Sequence, residues 1–152
     1  MKSAIFFVAI FAISFTLAGC GGKSNELNPE QEPAAGTNAP PAPPPGMADF
    51  KVDMAPANIA LGHATYHLTC APCHGEGGKG DGPAAVALNP KPRDHTNGAY
   101  MDKLTNAHLL QVIKQGGASF GYPGMPGQPQ LVDDTVKNVI AFVRSLSPTY
   151  KQ

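Results

Sequence analysis

The residues of this chain that are best suited to bind a metal or attach a cofactor lie in one short segment, Cys70-Ala71-Pro72-Cys73-His74-Gly75. Two cysteines separated by two residues, with a histidine directly after the second, occur in covalent haem attachment sites, in redox-active dithiols and in half of a zinc site. A thioredoxin-like dithiol requires a βαβ setting, and a structural zinc site requires four ligands. The structural elements predicted around the segment therefore have to decide which of these three kinds of site it forms.

Three segments of the sequence predict helices. The first begins near Pro56 and leads to the cysteine segment. The second begins after a capping Thr105 and ends at Gly116-Gly117, and the third begins after a capping Asp133 and ends before Pro148. No segment shows the two-residue alternation of a half-buried strand. The sequence therefore predicts an all-α fold, in which helices are joined by loops rich in Gly and Pro. The clearest apolar stripe is that of the third helix, formed by Val136, Val139, Ile140, Val143 and Leu146.

These short helices bury too little apolar surface to offset the entropy lost on ordering them, so another group has to fill the centre. A haem satisfies this need, with Cys70 and Cys73 as thioether attachment points and His74 as an iron ligand. A dithiol is disfavoured because no βαβ pattern surrounds it. A zinc site would have to recruit further ligands from the histidines, which are His63, His67, His74, His95 and His108.

The N-terminal region predicts export. A short basic start precedes the apolar run Ala4 to Leu17, which is the pattern of a signal peptide. Leu17-Ala18-Gly19-Cys20 resembles the lipobox of bacterial lipoproteins, and this resemblance implies cleavage before Cys20 and lipidation of its sulfur. We therefore expect a lipoprotein signal peptide at residues 1–19 and a lipidated cysteine with a Pro-rich flexible tether at residues 20–48.

Residues 49–152 are then the expected folded domain. The chain has 152 residues, with 11 Lys and Arg against 11 Asp and Glu, and only 14% of its residues are charged. This balance gives no support to nucleic-acid binding or to a strongly charged partner. It favours a small exported domain whose function depends on its site.

The folded part resembles a class I monohaem cytochrome c, in a bacterial lipoprotein form, from about Asn58 to Leu146. The resemblance rests on CAPCHG, on GEGGKGDGPAA after it, on NPKPRD, on LTNAHLLQVIKQGG and on the final VIAFVRSL. It implies a small cytochrome c fold around one covalently attached haem c, with His74 as the proximal iron ligand. It also implies a close crossing of the first and last helices, for which Gly62 and Phe142 occupy suitable positions.

The same resemblance implies roles for residues outside the cysteine segment. In the family, the carbonyl of a proline in a Gly-Pro pair accepts the other ring N–H of the proximal histidine, and Pro83 is the matching residue here. Arg93 is a candidate contact for a haem propionate. Met125, in GYPGMPGQPQ, is the expected distal iron ligand, and Met101 is expected in the core or against the haem. A second histidine as the distal ligand stays open as an alternative.

A haem with both axial positions filled implies a carrier of single electrons and no enzyme. We expect a membrane-anchored cytochrome that faces the periplasm from the cell membrane or the outer membrane and connects respiratory-chain partners. Those partners would be membrane redox complexes or other cytochromes. One alternative is a fixed haem subunit of a quinol-oxidising or terminal oxidase complex. Another is a haem enzyme or gas sensor with an open sixth site.

Overall fold

The structure is a computed structural model, and it describes residues 49–151. Within this range the chain forms helices and no strands, so the predicted all-α fold is confirmed. Two short 3₁₀ turns, at Pro83–Ala87 and Ala118–Phe120, interrupt the long loops. The α-helices are α1 (Pro56–Thr69), α2 (Ala71–His74), α3 (Gly98–Met101), α4 (Asn106–Gln115) and α5 (Asp133–Leu146).

The crossing of α1 and α5 is the main helix–helix contact of the fold. A Cβ atom built on Gly62 of α1 would lie 1.9 Å from the carbonyl oxygen of Asn138, so only glycine permits this approach. Phe142, the expected partner of Gly62, lies one turn further along α5, and its ring centroid is 4.9 Å from that of Tyr66. The predicted crossing is therefore present, and backbone atoms of α5 form the contact with the glycine.

The start of α4 is held by two caps. The Thr105 hydroxyl accepts a hydrogen bond from the amide of His108 at 3.0 Å, as the sequence predicts. The carboxylate of Asp49, the first residue of the described segment, accepts from the amides of Asn106 at 2.9 Å and Ala107 at 3.2 Å. Asp49 thereby ties the start of the folded segment to α4.

The prediction of Asp133 as the cap of α5 is wrong, because the helix begins at Asp133 itself. Val132 is the residue before the helix, and no side chain caps its first turn. Asp133 and Asp134 instead lie within that turn, where negative charge interacts favourably with the helix dipole. The predicted apolar stripe is correct, since Val136, Val139 and Ile140 are at most 1% exposed.

A charged residue also lies inside this core. Arg144 of α5 is 2% exposed, and its guanidinium donates to the side-chain oxygen of Asn106 at 2.9 Å and to the carbonyl oxygens of Met101, at 2.6 Å, and Leu104. Burial lowers the pKa of Arg144, but a guanidinium stays protonated at neutral pH. Arg144 therefore joins α5 to the segment between α3 and α4.

No helix within residues 49–151 is both long enough and apolar enough to span a membrane.

Candidate functional site

A cavity of about 480 Å³ lies at the centre of the described segment. Its walls come from all five α-helices and from the loops on either side of α3 and α4. Five of the six residues predicted at the haem site of the folded part line it, namely Cys70, Cys73, His74, Arg93 and Met125. The rest of the wall is mostly apolar and includes Tyr66, Met101, Leu104, Leu109, Ile113 and Val139.

The two cysteines and His74 reach the cavity because α1 passes almost directly into α2. Cys70 is both the last cap of α1 and the first cap of α2, and the amides of Cys73 and His74 both bond to its carbonyl oxygen, at 3.1 and 2.9 Å. This single turn brings the three side chains to one wall of the cavity. The sequence does not predict α2 as a separate helix, because four residues are too few for a periodic pattern.

The thiols differ from those of a redox dithiol. Both cysteines are unpaired and partly buried. Burial, with a smaller contribution from the charge of Cys73, raises the pKa of the Cys70 thiol to about 11. Redox-active cysteines of Cys-X-X-Cys motifs have a lowered pKa, so the environment of Cys70 does not fit that chemistry.

His74 has one ring nitrogen held and the other available. The ring is buried, and its Nδ1 lies 3.1 Å from the backbone carbonyl oxygen of Arg93. A carbonyl can only accept, so Nδ1 carries the proton and Nε2 keeps its lone pair, which is the form that binds a metal. Burial lowers the pKa of His74, with the bond to Arg93 opposing it, so the ring is neutral at neutral pH.

The prediction that the Pro83 carbonyl accepts from His74 differs from the structure, in which the acceptor is the Arg93 carbonyl. Gly82 donates its amide to the carbonyl of Cys73 at 3.1 Å, and a Cβ atom on Gly82 would lie 2.5 Å from the carbonyl oxygens of Ala71 and Pro72. The Gly-Pro pair therefore packs on the backbone of α2, while the later loop passes the imidazole. His74 therefore bonds to a backbone carbonyl, as predicted, but the loop with Arg93 supplies that carbonyl in place of the Gly-Pro pair.

A stacked aromatic contact to His74 was not predicted from the sequence, in which His95 stands only among the histidines that a zinc site could recruit. The rings of His74 and His95 stack, with centroids 4.3 Å apart and planes 20° apart. The hydroxyl of Tyr66 lies 3.3 Å from Nδ1 of His95 and 3.3 Å from the carbonyl oxygen of Gly75. Burial, then the charges of His74 and Arg93, lowers the pKa of His95 to about 3.

The loop with Met125 packs against the end of α4. The amide of Gly117 donates to the Met125 carbonyl at 2.9 Å, and the amide of Met125 donates to the Tyr122 carbonyl at 3.0 Å. A Cβ atom at Gly116, where φ is +87°, would lie 2.8 Å from the Met125 carbonyl oxygen. The glycine pair therefore ends the helix, as the sequence predicts, and also admits the methionine loop.

Polar side chains also belong to the cavity wall. The guanidinium of Arg93 lies over the Tyr100 ring, 3.9 Å from its centroid. His108 is 8% exposed, and its Nδ1 has no hydrogen-bond partner. Among the buried side-chain nitrogen and oxygen atoms of residues 49–151, only the side-chain oxygen of Gln111 also lacks a partner. A cofactor with polar edges, such as a haem with its carboxylates, would supply partners for such groups.

These observations fit a haem better than zinc. The cavity offers apolar walls for a macrocycle, two thiols for attachment, and a neutral imidazole with a free nitrogen. By contrast, residues 49–151 contain no group of three or more His, Cys, Asp or Glu side chains arranged to hold a metal ion. A zinc site of protein ligands alone is therefore not formed in this part of the chain.

Comparison with solved structures finds a similar fold in a chain of a protein complex. A chain of the reducing HAO-like protein complex of Kuenenia stuttgartiensis is 28% identical, with a TM-score of 0.54, over 68% of this chain. The match covers 49% of that chain, so this protein spans about half the length of its structural relative.

The sequence also matches a family model over residues 57–143, which include the cavity-lining cysteines, His74 and Met125. The model is described as cytochrome c oxidase, cbb3-type, subunit III. The match covers more than half of the chain and nearly all of the helical segment. The chain therefore belongs to this cytochrome c family, and its folded part is a cytochrome c domain with covalently bound haem c.

Proposed function

We propose that this protein is a membrane-anchored c-type cytochrome that carries single electrons between redox partners on the outer side of a bacterial membrane. In this proposal Cys70 and Cys73 hold the haem through thioethers, His74 is the proximal iron ligand, and Met125 is the distal ligand. When bound, the haem supplies a one-electron couple between ferrous and ferric iron.

The observation that carries the proposal is the state of His74. Its Nδ1–H donates to the Arg93 carbonyl, which fixes the tautomer and leaves Nε2 free on the wall that also holds both thiols. Such a bond orients an imidazole and raises its basicity toward a metal. A single turn of helix thus supplies two attachment points and one ligand.

Met125 as distal ligand is supported by the packing of its loop. Hydrogen bonds to Gly117 and Tyr122 fix the backbone of Met125, and Met125 lines the same cavity as His74. A thioether is a neutral, soft ligand that favours ferrous iron, so this ligation would raise the reduction potential. With both axial positions filled, no substrate can bind the iron, which favours electron transfer over an enzyme or a gas sensor.

The membrane anchor is the part of the proposal that rests on sequence alone. The signal peptide, Cys20 and the Pro-rich tether lie outside the residues that the structure describes. A random coil of the length of residues 21–48 would span on the order of 30 Å. A domain on such a tether would stay near membrane partners and still reach them in several orientations, which raises its effective concentration.

A second candidate is a fixed haem subunit of a larger redox complex. It is favoured by the family description, which names an oxidase subunit, and by the structural relative, which is a chain of a protein complex. Residues 49–152 carry nine Lys and Arg against eight Asp and Glu, so long-range charge attraction would contribute little to either arrangement.

The test is the absorption spectrum of the full chain, oxidised and reduced, after maturation in a bacterial host with haem-attachment machinery. We expect covalent haem, sharp low-spin bands and a weak far-red ferric band from sulfur ligation. A high-spin ferric spectrum would contradict the filled sixth position and favour an enzyme or sensor. Absence of covalent haem would contradict the attachment roles of both cysteines.

A further inference from the structure

We propose that Tyr66 and His95 act as a pair that positions the imidazole of His74, so that the orientation of the proximal ligand depends on residues that do not touch the iron. This inference rests on the proposed role of His74 as iron ligand. It adds two positioning residues to the site, one from α1 and one from the loop before α3.

The bond to Arg93 restrains His74 incompletely. One hydrogen bond fixes the direction of Nδ1, but the ring can still tilt about the line between the donor and the acceptor. The stacked ring of His95, 4.3 Å away and 20° from parallel, blocks that tilt on one side. The hydrogen bond and the stack together define the plane of the His74 ring.

The ring of His95 can restrain that of His74 because contacts with other residues hold His95 in place. Its amide donates to the Gly78 carbonyl at 2.7 Å. Gly78, with φ of +73°, allows the close contact, because a Cβ atom there would lie 3.2 Å from Cβ of His95 and 2.6 Å from a methyl of Leu146. Gly78, in the segment after α2, therefore lies close to both the loop with His95 and the end of α5.

Tyr66 fixes the ring of His95. Tyr66 is fully buried, and its ring meets that of His95 edge to face with centroids 5.9 Å apart. Its hydroxyl contacts the Gly75 carbonyl, which can only accept, so the hydroxyl proton goes to Gly75. Nδ1 of His95 must then carry its own proton and donate to the Tyr66 oxygen. This arrangement fixes the tautomer of His95 as well as its orientation.

The consequence for the site is electronic as well as steric. The orientation of an axial imidazole and the strength of its outer hydrogen bond affect the metal that it binds. A loosened ring would sample more than one orientation, and the ferric iron would report this in electron paramagnetic resonance. The resonance spectrum and the reduction potential are therefore readouts that a merely structural role would leave unchanged.

The experiment compares His95→Ala, His95→Phe and Tyr66→Phe in the full chain with attached haem. We expect a broadened or split ferric low-spin signal for His95→Ala, and a threefold to tenfold change in the ratio of oxidised to reduced haem at a fixed applied potential. Tenfold corresponds to 59 mV for a one-electron couple. His95→Phe keeps a flat ring in the stack and should restore a single signal. Tyr66→Phe should give a smaller change, and no further change when combined with His95→Ala.

His67→Ala is the matched control, since His67 is an exposed histidine of α1 whose Nδ1 bonds to Glu76 at 2.8 Å. Its signal and potential should equal those of the wild type. A wild-type signal and ratio in His95→Ala would overturn the proposal, and so would additive effects of Tyr66→Phe and His95→Ala. If His95→Ala fails to fold, a wild-type signal and ratio in Tyr66→Phe overturns the proposal.

A further variant separates this inference from the proposed function. If His74 is the ligand, His74→Ala abolishes the wild-type low-spin signal. Survival of that signal in His74→Ala would remove the proposed ligand and, with it, the positioning pair. Loss of the signal in His74→Ala together with an unchanged His95→Ala would overturn the positioning pair alone.

Discussion

Individual residues of this site and of the core beside it act through backbone groups as much as through other side chains. His74 is oriented by the Arg93 carbonyl, Met125 is held through its own amide and carbonyl, and Arg144 donates to two carbonyls. Such contacts depend on the path of the chain and not on the type of residue that supplies the carbonyl. Substitutions of the donors therefore have sharper expected effects than substitutions of the acceptors.

Met125→Ala tests the distal ligand. We expect the potential to fall by on the order of 0.1 V, within the roughly 0.8 V range that axial ligands control. The iron should also become accessible to added imidazole or cyanide. Spectroelectrochemistry and ligand titration measure the two effects. Met101→Leu is the control, because Met101 lines the same cavity. Loss of the far-red sulfur band in Met101→Leu, and not in Met125→Ala, would transfer the ligand role to Met101.

Arg144→Met tests the buried guanidinium. The change keeps an apolar stem but leaves the acceptors on Met101, Leu104 and Asn106 without their donor. An unsatisfied buried acceptor costs about 1–3 kcal/mol, so we expect a loss of about 3 kcal/mol or more in the free energy of unfolding. Denaturant titration of the haem-loaded protein measures it.

Lys137→Met on the same helix is the control for Arg144→Met. Lys137 is exposed, its ion pair with exposed Asp134 spans 3.1 Å, and its ammonium lies 6.0 Å from the centroid of the Phe50 ring, so its loss should cost at most about 1 kcal/mol. Equal destabilisation by the two variants would show that the buried network contributes nothing specific.

At the scale of elements, the α1–α5 crossing determines where the attachment segment lies. Cys70 directly follows the last residue of α1, so any shift of α1 along or away from α5 moves the thiols and His74 relative to the cavity. The crossing is close because Gly62 meets the backbone at Asn138. A position more than a full helical turn before Cys70 thereby influences the geometry of the site.

Gly62→Ala should separate the two helices. Alanine has a better helix propensity by about 1 kcal/mol, but its Cβ would overlap backbone atoms that cannot rotate away. Overpacking of this kind costs about 1–3 kcal/mol, so we expect net destabilisation and less complete haem attachment. Thermal unfolding and the yield of covalent haem measure the two effects.

Gly77→Ala is the matched control for Gly62→Ala, because a Cβ atom there meets nothing within 4 Å and the backbone has no positive φ. Its stability should differ from the wild type by at most about 0.5 kcal/mol. If Gly62→Ala were as stable as Gly77→Ala, the close crossing would not be required.

At the scale of the whole molecule, the cavity makes the cofactor part of the core. The cavity wall includes several apolar side chains, and leaving one such side chain without its apolar contacts costs about 1.5–3 kcal/mol. Domains have a total stability of about 5–15 kcal/mol. The chain without haem is therefore expected to be close to unfolded.

The double variant Cys70→Ala/Cys73→Ala tests this dependence. We expect no covalent haem and a large loss of helical circular dichroism and of cooperative unfolding. The single variant Cys73→Ala keeps one attachment point and should retain part of both. A double variant with a helical, cooperatively unfolding chain would show that protein side chains alone can close the core.

Cys20→Ser tests the proposed anchor. The variant cannot be acylated on sulfur, so the protein should move from the membrane fraction to the soluble exported fraction, as cell fractionation and incorporation of labelled fatty acid would show. Ser24→Ala, in the same tether, should leave the protein in the membrane fraction. Membrane association that persists in Cys20→Ser would indicate a different attachment.

The sequence by itself determined the long helices, because helix periodicity, the Thr105 cap and the terminating Gly116 and Pro148 are local signals. It also singled out Cys70, Cys73 and His74, whose spacing is a property of consecutive residues. It missed the first residue of α5, because Asp133 and Asp134 both suit a cap by type and only backbone dihedral angles decide between cap and helix.

Only the tertiary structure decided the surroundings of His74. The bond from His74 to Arg93 spans 19 residues, and that from Tyr66 to His95 spans 29. No local pattern encodes such contacts, because they depend on how loops with little periodicity fold back over α2. The sequence did not predict the burial of Arg144 for the same reason, since its hydrogen-bond acceptors lie about 40 residues earlier in the chain. Local interactions therefore specify the helices and the ligand types, whereas long-range packing specifies how each ligand is held.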